Sequence, residues 1–187
     1  MQHDPRQQMI EQQVRAWEVL DPRVLEVLAA VRREDFVPPQ YRAVAFADTD
    51  IPIGHGQTML AAKLHGRILQ ALDVQAGDHV LEVGSGSGVL AACFGLLARE
   101  VLSLEIHPDL AAMARANLRA AKATRVTVQD RDAFAGEALG EHDAIALTGS
   151  LPVYDPRFEQ ALKLGGRLFA VVGSDAAQEA ILVRRVS

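Results

Sequence analysis

The sequence predicts an α/β fold with a doubly wound, mostly parallel sheet and an N-terminal helical extension. From residue 76 onward, short aliphatic runs alternate with longer helical stretches, a pattern typical of parallel sheets flanked by helices. Before that point, apolar residues recur at helical spacing. We expect one domain over residues 1–187, with a helical and loop-containing region at 1–75 and the sheet at 76–187.

The composition is that of an ordinary globular chain. Of its 187 residues, 49% are hydrophobic and 23% are charged, so a core needs neither metals nor disulfides for support. Twenty-four acidic residues against 19 basic ones give a net charge of −5, which argues against binding nucleic acid through its phosphates. No apolar run reaches the ~20 residues that cross a bilayer. The single cysteine, Cys93, favours a reducing, cytoplasmic setting.

Two short helices are predicted at the start of the chain. Ile10, Val14 and Trp17 share one helical face, and a second apolar stripe runs over Val24–Val31. An Asp-Pro pair at 21–22 is a helix start with proline at the first helical position. We expect Trp17 to pack in the core, with a lid over a ligand as the alternative.

The remaining elements follow from the same patterns. Residues Ala47 to Leu60 lack periodicity and predict an irregular loop, after which helical spacing returns from Lys63 to Leu72. The predicted strands are His79–Val83, Val101–Glu105, Val126–Gln129, Ala144–Leu147, Arg167–Val172 and Ala180–Val186. The helices predicted between them are Val89–Ala98, Pro108–Lys122 and Asp155–Leu164.

A glycine-rich turn carries the strongest local signal for a ligand site. A buried-strand sequence leads directly into Gly84-Ser85-Gly86-Ser87-Gly88, where glycines permit positive φ and close approach of a ligand to the backbone. Ligands of doubly wound sheets lie beyond the carboxyl ends of the strands, where a carboxylate after the second strand accepts hydrogen bonds from ribose. Glu105 is in that place. The alternative is a simple strand-helix turn beside a solvated glutamate.

The glycine spacing argues against a dinucleotide cofactor. A dinucleotide fingerprint requires glycine or alanine at its sixth position, but Val89 stands there. The turn instead resembles the first motif of class I methyltransferases, which bind S-adenosylmethionine. This resemblance implies a Rossmann-like fold and a cofactor site formed by Gly84, Ser85, Gly86, Gly88, Glu105, Ile106, Asp132 and Ala133. Asp130 is an alternative to Asp132 as the residue near the adenine.

Segments outside the glycine turn narrow the resemblance. Residues 9–15, 31–38 and 54–59, together with the Leu-Lys-Leu-Gly-Gly run at 162–166, are similar to the protein-L-isoaspartate O-methyltransferase family over nearly the whole chain. The family methylates isoaspartyl carboxylates in age-damaged proteins, so the resemblance implies isoaspartyl proteins or peptides as substrate partners. It points to Gln57 and Thr58 as the residues that hold the substrate, on a loop that closes over the site.

Two departures from the family keep alternatives open. Leu60 and Ala62 stand where the family usually has serine and proline, so a substrate-binding hydroxyl is absent. The alternatives are a methyltransferase for another small molecule or protein, or a non-catalytic module that binds the cofactor. The family also continues beyond the strand at Ala180–Val186, so we expect either an incomplete sheet or a covering partner there. The sequence does not distinguish a monomer from a dimer.

Other polar residues are assigned ordinary roles. The six histidines show no metal-ligand spacing, so we expect no metal site. His55 lies in the predicted loop, where a solvated side chain is the ordinary expectation and substrate contact the alternative. Cys93 is expected to be buried packing. Residues 148–152 lack the motif of nucleobase methyltransferases, which argues against a DNA or RNA substrate.

Overall fold

The computed structural model describes residues 4–174 and 177–187 of the chain. The helices in these ranges are α1 (Pro5–Met9), α2 (Pro22–Ala30), α3 (Ala62–Leu72), α4 (Val89–Leu97), α5 (Pro108–Ala120) and α6 (Arg157–Gln160). The strands are β1 (Ile51–Gly54), β2 (Gln57–Met59), β3 (His79–Val83), β4 (Glu100–Glu105), β5 (Val126–Asp130), β6 (His142–Leu151), β7 (Leu162–Val172) and β8 (Glu179–Arg184).

The predicted sheet is confirmed, with a small antiparallel hairpin in addition. Among the described residues, the main sheet has six strands in the order β5-β4-β3-β6-β7-β8, and β1 pairs with β2 separately. Strands β3 to β7 run parallel, whereas β8 is antiparallel to β7. The order reverses beside β3, so a crevice opens at the carboxyl ends of β3 and its neighbours.

The two faces of the sheet are covered unequally. Val80 of β3 and Val101 of β4 lie in the same buried cluster as residues of α2 to α5. Leu81 and Ile145 belong to a second cluster with Phe158 of α6. Burial on both faces explains why these strands are continuous aliphatic runs rather than alternating ones.

The segment predicted as an irregular loop contains the β1–β2 hairpin, so this prediction was wrong in part. Ile51 pairs with Met59, and both side chains are buried. The turn needs left-handed backbone at three successive residues, with φ of 109° at Gly54, 52° at His55 and 69° at Gly56. Strands of four and three residues are too short for a period-two pattern to be recognised.

The predicted helix Asp155–Leu164 was too long. Only one helical turn forms, and Leu162–Leu164 already belong to β7. The leucine spacing there suits either structure, and pairing of His142 with Leu162 extends the sheet instead. Long-range strand pairing therefore overrides the local pattern.

The expected core role of Trp17 was also wrong. The first helix becomes a π-helix at Ile10–Val14 and a 3₁₀ turn at Arg15–Trp17, which rotates the last residue off the buried stripe. Trp17 is 47% exposed, and Lys63 Nζ lies 4.3 Å from the centre of its ring. The start of α2 is as expected, because Asp21 accepts a hydrogen bond from the backbone N–H of Arg23 at 2.9 Å.

Cys93 is buried on α4, as expected, and burial raises the pKa of its thiol to about 12. No helix within the described residues combines the length and apolar character needed to cross a membrane.

Candidate functional site

A cavity of about 250 Å³ opens at the carboxyl ends of β3, β4 and β6, beneath the β1–β2 hairpin. Every residue predicted for substrate or cofactor binding lines it except Gly88. From the hairpin it takes Gln57 and Thr58, and from the sheet side it takes Gly84, Ser85, Gly86, Glu105, Ile106, Asp132 and Ala133. The topology therefore brings together residues that lie up to about 75 positions apart in sequence.

The glycine turn leaves its backbone uncovered toward the cavity. Gly84 has a φ of 99°, and a Cβ there would collide with Thr148 Oγ1. Gly86 has a φ of 52°, and a Cβ there would lie 3.1 Å from Ile53 Cδ1 of the hairpin. Because side chains are excluded at both positions, a ligand can reach the backbone of the turn directly.

Gly88 has a different place. Its φ is 86°, and it is the N-cap of α4. A Cβ there would lie 3.3 Å from Ala114 Cα and 3.2 Å from Leu118 Cγ of α5. This glycine lets α4 and α5 approach each other, and its contact with a cofactor stays a prediction.

Glu105 is held rigidly at the end of β4. Its Oε2 accepts a hydrogen bond from the Gly86 N–H at 2.9 Å, and its Oε1 accepts one from the His107 N–H at 3.1 Å. The side chain is 5% exposed and lines the cavity. Each carboxylate oxygen retains a lone pair, so Glu105 can accept hydrogen bonds from two vicinal hydroxyls.

A buried polar chain supports the turn from below. Ser103 Oγ donates a hydrogen bond to Glu82 Oε2, and the Ser85 and Ser103 hydroxyls are in hydrogen-bond contact. Glu82 is completely buried, and its Oε1 has no protein partner. The pKa of Glu82 is raised to about 8, chiefly by burial. The hydrogen bond from Ser103 lowers this pKa, and the nearby charge of Glu105 raises it.

The structure distinguishes the two candidate aspartates after β5. Asp132 lines the cavity, and its Oδ1 accepts a hydrogen bond from the Phe134 N–H at 2.8 Å. Asp130 ends β5 opposite Glu105 and is not among the lining residues. Two exposed apolar side chains, Ile106 and Phe134, also line the cavity. Such surfaces can hold a flat heterocycle beside the Asp132 carboxylate.

The hairpin that carries Gln57 and Thr58 is fixed by a buried arginine. Arg33 donates from Nε to Ala45 O at 2.9 Å and from Nη2 to Leu60 O at 2.8 Å. Its Nη1 lies 3.1 Å from His65 Nδ1, which must accept because a guanidinium only donates. Burial lowers the pKa of Arg33 to about 10 and lowers that of His65 well below its usual value, with the Arg33 charge as a further cause for His65.

Several residues that line or support the cavity were not predicted from the sequence. Thr148 closes the floor of the cavity by donating to Val83 O at 2.9 Å and to Gly84 O at 2.8 Å. Its place after β6 could have been found from the rule that ligands lie beyond the strand ends. Phe134 lies two residues after Asp132, so the same rule could have predicted its place at the cavity. Arg33 and Ser103 act through contacts that no local pattern indicates.

Within residues 4–174 and 177–187, no three His, Cys, Asp or Glu side chains are grouped as metal ligands. The polar groups that line the cavity are carboxylates, hydroxyls, the Gln57 amide, the imidazoles of His65 and His107, the Arg131 guanidinium and backbone, a set that suits hydrogen bonding to an organic ligand.

Two relatives share the sequence of this chain over nearly its whole length. A protein-L-isoaspartate O-methyltransferase of Koribacter versatilis is 37% identical over 181 residues, which cover 96% of this chain and 82% of that protein. A protein of the same name from Methanoregula boonei is 37% identical over 183 residues, which cover 97% of this chain and 84% of the relative.

Solved structures show the same fold. A candidate protein-L-isoaspartate O-methyltransferase from Plasmodium falciparum, solved in complex with S-adenosyl-L-homocysteine, superposes with a TM-score of 0.84. The match covers 99% of this chain and 92% of that chain, at 21% identity. At this identity the likeness concerns the fold.

The family model described as protein-L-isoaspartate(D-aspartate) O-methyltransferase matches residues 4–187. With relatives 37% identical over nearly the whole chain, this protein belongs to the protein-L-isoaspartate(D-aspartate) O-methyltransferase family.

Proposed function

We propose that this protein methylates the free carboxylate of isoaspartyl residues in damaged proteins, with S-adenosylmethionine as methyl donor. The observation that carries the proposal is the cavity between the β1–β2 hairpin and the glycine turn. It places Gln57 and Thr58 in the same cavity as Glu105 and the exposed backbone of residues 84–86.

The residues present fit the methyl donor. The Glu105 carboxylate is oriented by two backbone N–H groups and keeps lone pairs for the ribose hydroxyls. The bare turn at Gly84 and Gly86, with Ser85 between them, would take the methionine part. Asp132 and Ala133 would lie along the adenine, with its ring against Ile106.

Methyl transfer to a carboxylate requires little from the protein beyond positioning of the reactants. Bound S-adenosylmethionine supplies a sulfonium methyl group, and the C–S electron pair stays with sulfur when an acceptor oxygen bonds the methyl carbon. An aspartyl-type carboxyl group, with a pKa of about 3.9, is already ionised at neutral pH and needs no general base. Thr58 and Gln57 would donate hydrogen bonds that align this carboxylate. The hairpin, packed on the glycine turn through Ile53, would keep water out.

The product explains the link to repair. The neighbouring backbone nitrogen attacks the ester carbonyl and loses its proton, the bond to the methoxy oxygen breaks, and methanol leaves as the succinimide ring closes. An ionised carboxylate has no comparable leaving group. Opening of that ring regenerates normal aspartate in part of the molecules. The matches reported above support this hypothesis over another acceptor or a non-catalytic module, to which they give no support.

The proposal is tested by methyl transfer from tritiated S-adenosylmethionine to an isoaspartyl peptide and to its aspartyl twin. We expect label on the isoaspartyl peptide only. Equal, background-level labelling of both peptides would refute the substrate, and labelling of other material in a cell extract would then point to a different acceptor.

The broader setting is part of the proposal. A cytoplasmic location is supported by the single buried thiol of Cys93. We treat residues 1–187 as one domain because the N-terminal helices share a buried cluster with the sheet. The partner proposed is an isoaspartyl protein or peptide, with no nucleic acid or membrane.

A further inference from the structure

Three polar side chains join the turn of the β1–β2 hairpin to the first turn of α5. The rings of His55 and His107 are stacked, with centroids 4.1 Å apart and planes 11° apart. His55 Nε2 lies 2.8 Å from Asp109 Oδ2. His107 is the N-cap of α5, and Asp109 follows in its first turn. We call His55, His107 and Asp109 the latch.

The latch spans two walls of the cavity. Ile53, Gln57 and Thr58 line it from the hairpin, whereas Ile106 and His107 line it from the other side. The hairpin also approaches the glycine turn, because a Cβ added at Gly86 would lie only 3.1 Å from Ile53 Cδ1. The hairpin is thus fastened at both the turn and α5.

The protonation of Asp109 determines which group of the latch donates the hydrogen bond. The hydrogen bond from His55 is the largest of the effects that lower the pKa of Asp109, so Asp109 is ionised at neutral pH. A carboxylate only accepts, and His55 Nε2 therefore carries the proton. The side chains of His55 and Asp109 are 41% and 67% exposed, so their bond is a surface interaction of modest strength.

The backbone of His55 has the conformation that the hairpin turn requires. Its φ of 52° lies in the left-handed region, which non-glycine residues seldom adopt. The turn requires this conformation, and with it the His55 ring stacks on His107 and hydrogen-bonds Asp109 of another element.

We propose that His55 is a positioning residue: through His107 and Asp109 it holds the hairpin over the methyl-donor site and slows release of the donor and its demethylated product. The inference rests on the proposed function, because it assumes that the cavity binds S-adenosylmethionine. His55 acts through Gln57 and Thr58, which share its hairpin, rather than by touching the reacting atoms.

The test measures the dissociation rate of S-adenosylhomocysteine by stopped flow for wild type, His55→Asn, Asp109→Ala and the double variant. Asparagine tolerates left-handed backbone, so His55→Asn removes the ring without changing the turn. We expect each single variant to release the ligand roughly 3- to 10-fold faster. The double variant should be no faster than the faster single, because both substitutions break one latch.

Asp48→Ala is the matched control, because Asp48 pairs with Lys63 at 2.8 Å outside the latch. It should leave the rate unchanged, and thermal midpoints should stay close to wild type in all variants. Unchanged release in both single variants, or multiplied effects in the double variant, would overturn the latch alone. A wild-type protein that fails to bind S-adenosylhomocysteine would overturn the proposed function as well.

Discussion

Glu105 is the side chain whose role follows most simply from its contacts. Its two carboxylate oxygens are held by the backbone of Gly86 and His107, and no other protein side chain uses their remaining lone pairs among the described residues. The group is thus preorganised to accept from a diol, and no reorganisation accompanies binding.

We expect Glu105→Gln to weaken S-adenosylhomocysteine binding by about 10- to 100-fold, because hydrogen bonds to a charged group contribute about 1.5–3 kcal/mol. Isothermal titration calorimetry measures this change. Asp130→Asn is the control, since Asp130 stands opposite Glu105 in the sheet but outside the cavity lining. Equal losses in the two variants would contradict the assignment.

Leu60 stands where the family resemblance leads us to expect a serine, and it lines the same cavity as Thr58. A leucine side chain cannot donate to a substrate carboxylate. We expect Leu60→Ser to raise kcat/KM for an isoaspartyl peptide by roughly 2- to 10-fold, the value of one added hydrogen bond. Leu60→Ala separates the hydroxyl from the gain in space, and equal kinetics for the two variants would exclude a role for the hydroxyl.

The β1–β2 hairpin depends on a residue outside it. Arg33 contacts Ala45 O, Leu60 O and His65, on both sides of the hairpin in sequence. A second anchor closes the base, where Asp50 Oδ1 accepts from the Ala61 N–H at 2.8 Å. The hairpin is thus held at its two ends, and the proposed latch holds its turn.

Arg33→Lys should lower the free energy of unfolding by about 2–4 kcal/mol, because an ammonium on a flexible stem cannot satisfy all three buried partners. Urea unfolding followed by circular dichroism measures this loss. Arg32→Lys is a neighbouring control, since Arg32 is largely exposed and paired with Asp35 at 2.9 Å. A loss as large in the control would show that the anchor has no special part.

Prediction from sequence succeeded where the signal was local. The strand at 79–83, the glycine turn and Glu105 follow one another along the chain, so pattern and spacing were sufficient to predict their places in the fold. Their role in cofactor binding stays a prediction. The hairpin was not predicted because its strands are very short. The helix predicted at 155–164 was too long because the end of that segment pairs as a strand of the sheet. Arg33 was not assigned a role because its partners lie 12 to 32 residues away.

The stability of the protein should depend on pH because Glu82 is buried. Its pKa is about 8 when folded, against 4.5 as the ordinary value. The folded state therefore keeps a proton that the unfolded chain releases above 4.5. Its favourable contribution is complete below that pH and is lost as pH rises through about 8.

We expect Glu82→Gln to stabilise the protein relative to wild type increasingly between pH 5 and pH 8, because an amide does not titrate. Thermal midpoints of the two proteins across this range measure the difference. Glu100→Gln, at the exposed start of β4, should show no such trend. A Glu82→Gln difference that stays constant with pH would contradict the buried, protonated carboxyl.

The assigned function depends on what the cavity between the hairpin and the glycine turn binds. A crystal structure of the protein grown with S-adenosylhomocysteine would answer this. We predict ribose hydroxyls on Glu105, the amino-acid part along residues 84–86 and the adenine between Asp132 and Ile106. Density for the ligand elsewhere, or a cavity that stays closed to it at saturating concentration, would contradict the assignment of the site.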